Sequence, residues 1–123
     1  MPAGCPPKFS LMQKIEATIR SFKLEEVREM LISIGIHAAT VTEVQVHNHR
    51  RKKGETSRGS PNVDAFIPRI KLEVVVPDEQ WRVTTDAILR ASKTGIFGDG
   101  KIFVLPVVDA IRIRTEEHGA NAV

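Results

Sequence analysis

The sequence contains no tyrosine and a single tryptophan, and aromatic residues make up only 5% of the chain. Proteins that bind single-stranded nucleic acid stack bases on several exposed rings, whereas the five Phe and Trp81 are also needed to fill a core. The net charge of +3, from 18 Lys and Arg against 15 Asp and Glu, is too small to require a nucleic-acid partner. Nucleic-acid binding is therefore disfavoured, while phosphate-bearing small ligands stay open.

Cysteine and long apolar runs are also scarce. Cys5 is the only cysteine, which excludes an intrachain disulfide and a thiolate metal cluster and is typical of a reducing compartment. No segment approaches the roughly 18 consecutive apolar residues that span a bilayer, and the first residues lack the apolar core of a secretory signal. We therefore expect a cytoplasmic protein without a membrane span.

What is present is the composition of one globular domain: 123 residues, 41% hydrophobic and 27% charged. Residues 1–11 hold three prolines and no periodicity, which predicts a flexible tail before a domain over 12–123. Hydrophobic periods of 2 and 3.6 predict helices over 23–35 and 79–93 and strands over 13–19, 37–46, 69–77 and 101–107. This βαβ–βαβ order predicts an α+β fold, a ferredoxin-like sandwich whose antiparallel sheet carries two helices on one face.

Both predicted helices carry an apolar stripe. The first is expected to end at Gly35 and to bury Val27, Met30, Leu31 and Ile34. The second is expected to begin at an N-cap, Asp78, and to bury Trp81, Val83, Ala87, Ile88 and Ala91. The last two strands are apolar enough for burial on both faces, which two helices cannot provide. We therefore expect a homo-oligomer that stacks sheet faces.

Residues 47–65 contain almost no large apolar side chains and are rich in Arg, Lys, Gly and Ser. A connection of this length is uncommon in a compact domain, so we predict an exposed functional loop. Its basic run, Arg50 to Lys53, suits phosphate groups or an acidic protein surface, and is also typical of a solvated loop. His47, Asn48 and His49 spell the H-N-H of a nuclease, but further metal ligands are missing. No catalytic or metal-binding arrangement is found, and we expect no enzyme.

The segment Thr94 to Lys101, TGIFGDGK, is the strongest local motif. It matches the spelling of a Walker A loop, but Ile102 stands where Ser or Thr must ligate magnesium, and the segment leads from helix into strand instead of the reverse. Closely spaced glycines let backbone N–H groups face one concavity, which suits an anion, and Lys101 adds a positive charge. A plain glycine-capped turn is the alternative.

Arg112, Ile113 and Arg114 form a second cationic cluster. In an extended segment alternate residues point the same way, so both guanidinium groups would face one site and Ile113 would face the core. Two arginines and a lysine over glycine amides suit a di- or triphosphate. The alternative is a solvated strand edge with protective charges.

Three stretches together resemble the PII family of signal-transduction proteins: KIEATIRSFKLEEVREMLISIGIHAATVTEV, FIPRIKLEVVVPDE and TGIFGDGKIFVLPVVDAIRIRT. The resemblance runs from Met12 to Val123, and TGxxGDGKIFV followed by IRIRT is highly specific. It implies a homotrimer of ferredoxin-like subunits, ATP or ADP in clefts between subunits, and a long T-loop that docks on a target protein. It further implies a nucleoside pocket lined by Thr40 and Val75, and phosphates on Gly98, Asp99, Gly100, Lys101, Arg112 and Arg114.

Departures from the family concentrate in and beside the T-loop. Arg69 stands where the family usually has a Lys that helps bind 2-oxoglutarate. Arg50 replaces a Gln that helps ligate the Mg²⁺ holding that anion, and an arginine cannot ligate a cation. The Tyr that many members uridylylate or adenylylate aligns with Asn62, which excludes this modification, and Ser60 falls where some members carry a phosphorylated Ser. We therefore expect a weakened response to 2-oxoglutarate.

The leading hypothesis is a PII-type regulator that senses ATP or ADP and controls a partner protein through its T-loop, in nitrogen metabolism. The alternative is a PII-like regulator of inorganic-carbon uptake or fixation that senses adenine nucleotide together with bicarbonate. A basic nucleic-acid-binding module that uses Arg50 to Lys53, and a slow nucleotide hydrolase, are the remaining hypotheses.

Overall fold

The computed structural model describes residues 12–51 and 62–123; the expected tail over 1–11 and Ser60 lie outside these ranges. In chain order the elements are β1 (Met12–Ile19), α1 (Leu24–Ser33), β2 (Thr40–Arg51), β3 (Asn62–Pro77), α2 (Trp81–Ser92) and β4 (Lys101–Val107), with 3₁₀ turns at Ser21–Lys23, Asp78–Gln80 and Gly119–Ala122. These strands form one antiparallel sheet in the order β2-β3-β1-β4. The ferredoxin-like order of strands and helices is therefore confirmed.

The core lies between the two helices and one face of the sheet. In β1, buried Ile15, Ala17 and Ile19 alternate with half-buried Lys14, Glu16 and Thr18, as the period of 2 predicts. Val27 and Leu31 of α1 pack on this row, as does Ile88 of α2, and β3 adds Ile70, Leu72, Val74 and Val76. Every second residue of β1 and β3 thus holds the helices in place.

The helices differ from the predictions in detail. Met30 and Val83, expected in the buried stripes, are 37% and 50% exposed. Thr84 is fully buried instead, and its hydroxyl is satisfied because it donates to the carbonyl of Gln80 at 2.8 Å. The predicted N-cap is also wrong, since the carboxylate of Asp78 accepts a hydrogen bond from Gln13 and none from the start of α2. In the described ranges, neither α1 nor α2 has the length and apolar character required to cross a bilayer.

β2 and β3 are longer than the sequence predicts. β2 begins at Thr40 and continues to Arg51, and β3 begins at Asn62, where Arg51 and Asn62 pair. Ile19, the last residue of β1, pairs with Ile70 of β3. Residues 62–69 of β3 therefore pair with β2 and not with β1, and the two strands form a ribbon that projects from the sheet. The expected loop over 47–65 is therefore wrong at both ends, since strand pairing accounts for its first and last residues.

The sheet face opposite the helices is mixed in character. Lys14 forms an ion pair with Glu73, and Lys71 Nζ lies 2.9 Å from Glu16 Oε1. Leu105, which is opposite Lys14 in the sheet, is 40% exposed on the same face. The run LEVVV therefore places only alternate residues against the helices, and its other side chains share the open face with ion pairs.

Candidate functional site

The connection between α2 and β4, residues 93–100, forms a glycine loop held from inside by Asp99. The carboxylate of Asp99 accepts hydrogen bonds from the backbone N–H groups of Thr94 and Gly95, each at 2.9 Å, and from the Thr94 hydroxyl. These hydrogen bonds, those from Thr94 first, hold the pKa of Asp99 well below its usual range. The predicted loop thus exists, and Asp99 supports the loop itself.

Two arginines hold the same loop from outside. Arg20, directly after β1, donates from Nε to the Asp99 carboxylate and from Nη2 to the Phe97 carbonyl, both at 3.0 Å. Arg69 of β3 donates from Nη2 to the Gly98 carbonyl at 3.2 Å and from Nη1 to the Pro68 carbonyl at 2.9 Å. The structure therefore places Arg69 at the glycine loop.

Gly100 lies so close to the backbone of β1 that a residue with a side chain would not fit there. Its φ of +119° lies in the left-handed region, and a Cβ built on it would lie 1.9 Å from the carbonyl oxygen of Thr18. β4 begins at the next residue, Lys101, which pairs with Thr18 in the sheet. Within the described part of the chain Lys101 has no ion-pair partner, so its ammonium group is available to an anion.

A half-open cavity of about 640 Å³ lies beside the loop, between α2 and β4. Asp99, Gly100 and Lys101 contribute polar groups to its lining. Trp81 and Arg82 of α2 also line it, with the Arg82 guanidinium 4.5 Å from the centre of the indole ring. This cavity opens on the helix side of the sheet, because the β4 residues that line it, Ile102 and Val104, pair with buried residues of β1.

The second cationic cluster is placed differently from the prediction. Arg112, Ile113 and Arg114 lie in a turn, and Ile113 is 94% exposed instead of facing the core. The turn is closed at its base, where His118 Nδ1 donates to the Asp109 carboxylate at 3.0 Å and lowers the pKa of Asp109. The prediction that IRIRT is extended is therefore wrong. Both arginines are nevertheless exposed on one short turn.

Arg112 and Arg114 differ in their contacts. Arg112 Nε lies 3.9 Å from Glu117 Oε1, and its Nη2 is 3.5 Å from the carbonyl of Ala122. Arg114 forms no ion pair with any residue in the described ranges. Both guanidinium groups are thus weakly held and accessible to an anionic ligand.

The two cationic clusters of one subunit share no contact among the described residues, and the cavity beside Lys101 is lined by neither Arg112 nor Arg114. The glycine loop precedes Lys101, and the arginine turn follows Val107, at the other end of β4. A strand of 7 residues spans about 20 Å at roughly 3.3 Å per residue. Among the described residues, no hydrogen bond or ion pair joins the loop to the turn.

The other candidate residues lie on β2 and β3. Thr40 is exposed and pairs with Glu73, and half-buried Val75 lies on the open face opposite Lys14. The backbone of Arg50 pairs with Val63 in the ribbon, far along the strand from Thr40. In residues 12–51 and 62–123 no three His, Cys, Asp or Glu side chains are grouped to hold a metal ion.

Arg20 is the functional candidate that sequence reasoning missed. It lies almost 80 positions from the loop that it contacts, so no local motif contains both. The signal that could have found it is strand pairing: Thr18 pairs with Lys101, which brings a residue just after β1 beside the residues just before β4.

Comparison with known proteins agrees with this arrangement. Residues 12–117 match the family model described as Nitrogen regulatory protein P-II. Curated relatives of that name include one from Haemophilus influenzae, 48% identical over 91% of this chain and 100% of its own, and one from Escherichia coli, 45% identical with the same coverage.

Solved structures give the same result. The GlnK–ATP complex of B. subtilis superimposes with a TM-score of 0.80 at 30% identity, covering 95% of this chain and 100% of that one. Arabidopsis thaliana PII bound to citrate gives a TM-score of 0.75 at 37% identity, covering 93% and 94%. This chain therefore belongs to the nitrogen regulatory protein P-II family and is a PII-type signal-transduction regulator of nitrogen metabolism.

Proposed function

We propose that the protein binds an adenine nucleotide, ATP or ADP, with its phosphates on Gly98, Asp99, Gly100 and Lys101. The observation that carries the proposal is the glycine loop, which is fixed by Asp99 and followed by a lysine without an ion-pair partner in the described ranges. Backbone N–H groups beside a free ammonium attract a phosphate chain. The similar GlnK of B. subtilis was solved with ATP, which supports this class of ligand.

The complete site requires a second copy of the chain. Arg112 and Arg114 would come from the neighbouring subunit of a homotrimer, with Thr40 and Val75 lining the nucleoside pocket. This assignment is supported by the position of the two clusters beyond opposite ends of β4, a strand about 20 Å long, and by the lack of any contact between them in the described ranges. The exposed apolar side chains of the open sheet face, such as Leu105, provide a surface for the association.

The protein would act as a sensor in the cytoplasm, without catalytic turnover. In the described ranges the ribbon of β2 and β3 pairs with no third strand, and Val46 and Phe66 on it are exposed, so its surface is suited to docking on a target protein. A signal requires that ATP and ADP favour different states of that ribbon, because a ligand with equal affinity for both states transmits nothing.

Calorimetry and thermal melting test the ligand. ATP, ADP, AMP, 2-oxoglutarate and bicarbonate would be added alone and in pairs, with and without Mg²⁺. We expect ATP or ADP at 100 times its Kd to stabilise the protein by about 2.7 kcal/mol, a rise in Tm of several degrees. If no adenine nucleotide binds, the proposed function is wrong. A further rise in Tm with bicarbonate, and none with 2-oxoglutarate and Mg²⁺, would identify bicarbonate as the second ligand.

Mixed trimers test whether the site is shared between subunits. Lys101→Ala and Arg112→Ala should each weaken ATP binding when all three chains carry the same change. After the two variants are unfolded and refolded together, about a quarter of the sites would combine an intact loop with an intact arginine turn. We expect calorimetry of the co-refolded sample to show about a quarter of the sites with wild-type affinity for ATP. If the co-refolded sample binds ATP no better than either variant alone, one chain supplies both the glycine loop and the arginine turn of a site.

A further inference from the structure

Two guanidinium groups bind carbonyl oxygens of the glycine loop. Arg20 Nη2 donates to the carbonyl of Phe97 at 3.0 Å, and Arg69 Nη2 donates to that of Gly98 at 3.2 Å. A Cβ at Gly98 would lie 3.5 Å from Arg20 Nη2 and 3.7 Å from Arg69 Nη2, so both groups lie against the same residue. Two consecutive peptide groups are thus held from one side by positive charges.

Peptide geometry determines where the next N–H groups point. In a planar trans peptide, the carbonyl of one residue and the N–H of the following residue point in opposite directions. Holding the carbonyls of Phe97 and Gly98 therefore directs the N–H groups of Gly98 and Asp99 away from the two arginines. Within the described ranges no acceptor lies at hydrogen-bond distance and angle from the Gly98 N–H, and the Asp99 N–H only faces the Ile96 carbonyl across the turn over Phe97 and Gly98.

The Arg20 side chain also compensates the charge of Asp99. A carboxylate in a phosphate-binding loop repels the ligand unless a cation neutralises it, and Arg20 Nε lies 3.0 Å from Asp99 Oδ1. One guanidinium group therefore holds a loop carbonyl and offsets the one acidic side chain in the loop. Arg69 bridges differently, because it joins the Gly98 carbonyl to that of Pro68 in β3.

We propose that Arg20 and Arg69 are positioning residues, which orient the Gly98 and Asp99 amides toward a nucleotide phosphate and do not bind that phosphate themselves. This inference rests on the proposed nucleotide function and adds how the loop is prepared for its ligand. A planar fork that spans two carbonyls suits this role better than a lysine ammonium, which is a single point charge. The arginine at position 69 is thus explained by loop support.

Arg69→Ala is the main test, measured on the full-length protein by calorimetry. One charge-assisted hydrogen bond to the loop is lost, so we expect about tenfold weaker ATP binding. Adenosine, which has no phosphate, should bind as it does to the wild type. Arg90→Ala is the matched control, because Arg90 is exposed on α2 and, among the residues that the structure describes, forms an ion pair only with Asp86. Unchanged ATP affinity in Arg69→Ala would overturn the inference.

The ligand-free protein separates positioning from direct contact. If Arg69 orients the loop, the amide resonances of Gly98 and Asp99 in Arg69→Ala should shift, and their hydrogen exchange should quicken, before any nucleotide is added. If these amides are unchanged while ATP binding weakens, Arg69 contacts the phosphate directly and the inference is wrong.

Arg20→Lys provides a second variant that keeps the charge beside Asp99. The lysine loses the donor to the Phe97 carbonyl, so we expect the Gly98 amide to shift in the ligand-free protein and ATP binding to weaken several-fold. If the Gly98 amide shift and the ATP affinity both remain those of the wild type, the role of Arg20 is contradicted. Absence of ATP binding by the wild-type protein is a different result, which would overturn the proposed function and this inference with it.

Discussion

Gly100 illustrates how one residue fixes the join between the glycine loop and the sheet. Its backbone combines a φ of +119° with a Thr18 carbonyl oxygen only 1.9 Å from the position of a Cβ. Because that atom belongs to the β1 backbone, it cannot move away without disturbing strand pairing. We expect Gly100→Ala to lower the free energy of unfolding by about 3 kcal/mol or more.

Gly35→Ala is the control for this prediction. Gly35 has a similar φ of +90°, but nothing lies within 4 Å of its Cβ position. Gly35→Ala therefore causes no clash and only places an alanine at a positive φ, which should lower the free energy of unfolding by about 1 kcal/mol. Chemical denaturation of both variants measures the difference. Equal losses would mean that the approach of Thr18 does not determine the requirement for glycine.

The Asp99 carboxylate predicts a specific dependence of stability on pH. Its hydrogen bonds lower its pKa in the folded protein, so it contributes stability above the unfolded pKa, near 4, and loses that contribution as the pH falls through the folded pKa. We expect Asp99→Asn to be less stable than the wild type at pH 7, with a difference that narrows below about pH 4. A difference in free energy of unfolding that stays constant to low pH would contradict this account.

Motif and charge at the residue scale predicted part of the candidate site. Gly98, Asp99, Gly100 and Lys101 were found because they are contiguous, so the local sequence contains the chemistry. Ile113 was assigned to the core because an extended segment was assumed, whereas His118 and Asp109 close a turn that exposes it. This turn depends on a contact between residues nine positions apart, which the alternation of polar and apolar residues cannot predict.

At the scale of elements, α2 connects the core to the loop that follows it. Ile88 is 0% exposed, while its neighbour Leu89 is 52% exposed. Ile88→Ala removes buried methylene and methyl groups and leaves a cavity, so we expect a loss of about 2 to 5 kcal/mol in the free energy of unfolding. Leu89→Ala, a truncation of similar size one position away, should cost less than about 1 kcal/mol. Equal costs in thermal or chemical denaturation would mean that α2 is rotated relative to the sheet.

Element boundaries were predictable where apolar side chains alternate and unpredictable where strand pairing alone defines the strand. β4 has the predicted bounds, 101–107, because its apolar run begins after Gly100 and ends just before Asp109. The outer parts of β2 and β3 were expected to be loop, since their composition is polar. They are strands because each residue from Thr40 to Arg51 pairs across the ribbon, which satisfies the backbone without an apolar core.

At the scale of the whole molecule, the distribution of charge supports the proposal that the nucleotide site is shared between two chains. Each cationic cluster lies beyond one end of β4, and between them the open sheet face carries paired charges and exposed apolar side chains. In the proposed association, the paired charges on this face would help to set its register with a partner surface, and the apolar side chains would supply the gain in free energy on burial. Association of copies and assembly of the nucleotide site are therefore expected to be coupled.

This coupling gives the last prediction, Leu105→Glu. The new carboxylate lies opposite Lys14 in β1, so the folded subunit accommodates it, but stacking the open faces would bury it against another copy. We expect light scattering to show a monomer, circular dichroism to remain that of the wild type, and ATP binding to be lost because no neighbour supplies Arg112 and Arg114. Val83→Glu is the control, since Val83 is 50% exposed on α2, and it should remain a trimer that binds ATP. A Leu105→Glu monomer with wild-type affinity for ATP would mean that one chain forms the whole site, and a Leu105→Glu trimer would mean that the subunits associate through another surface.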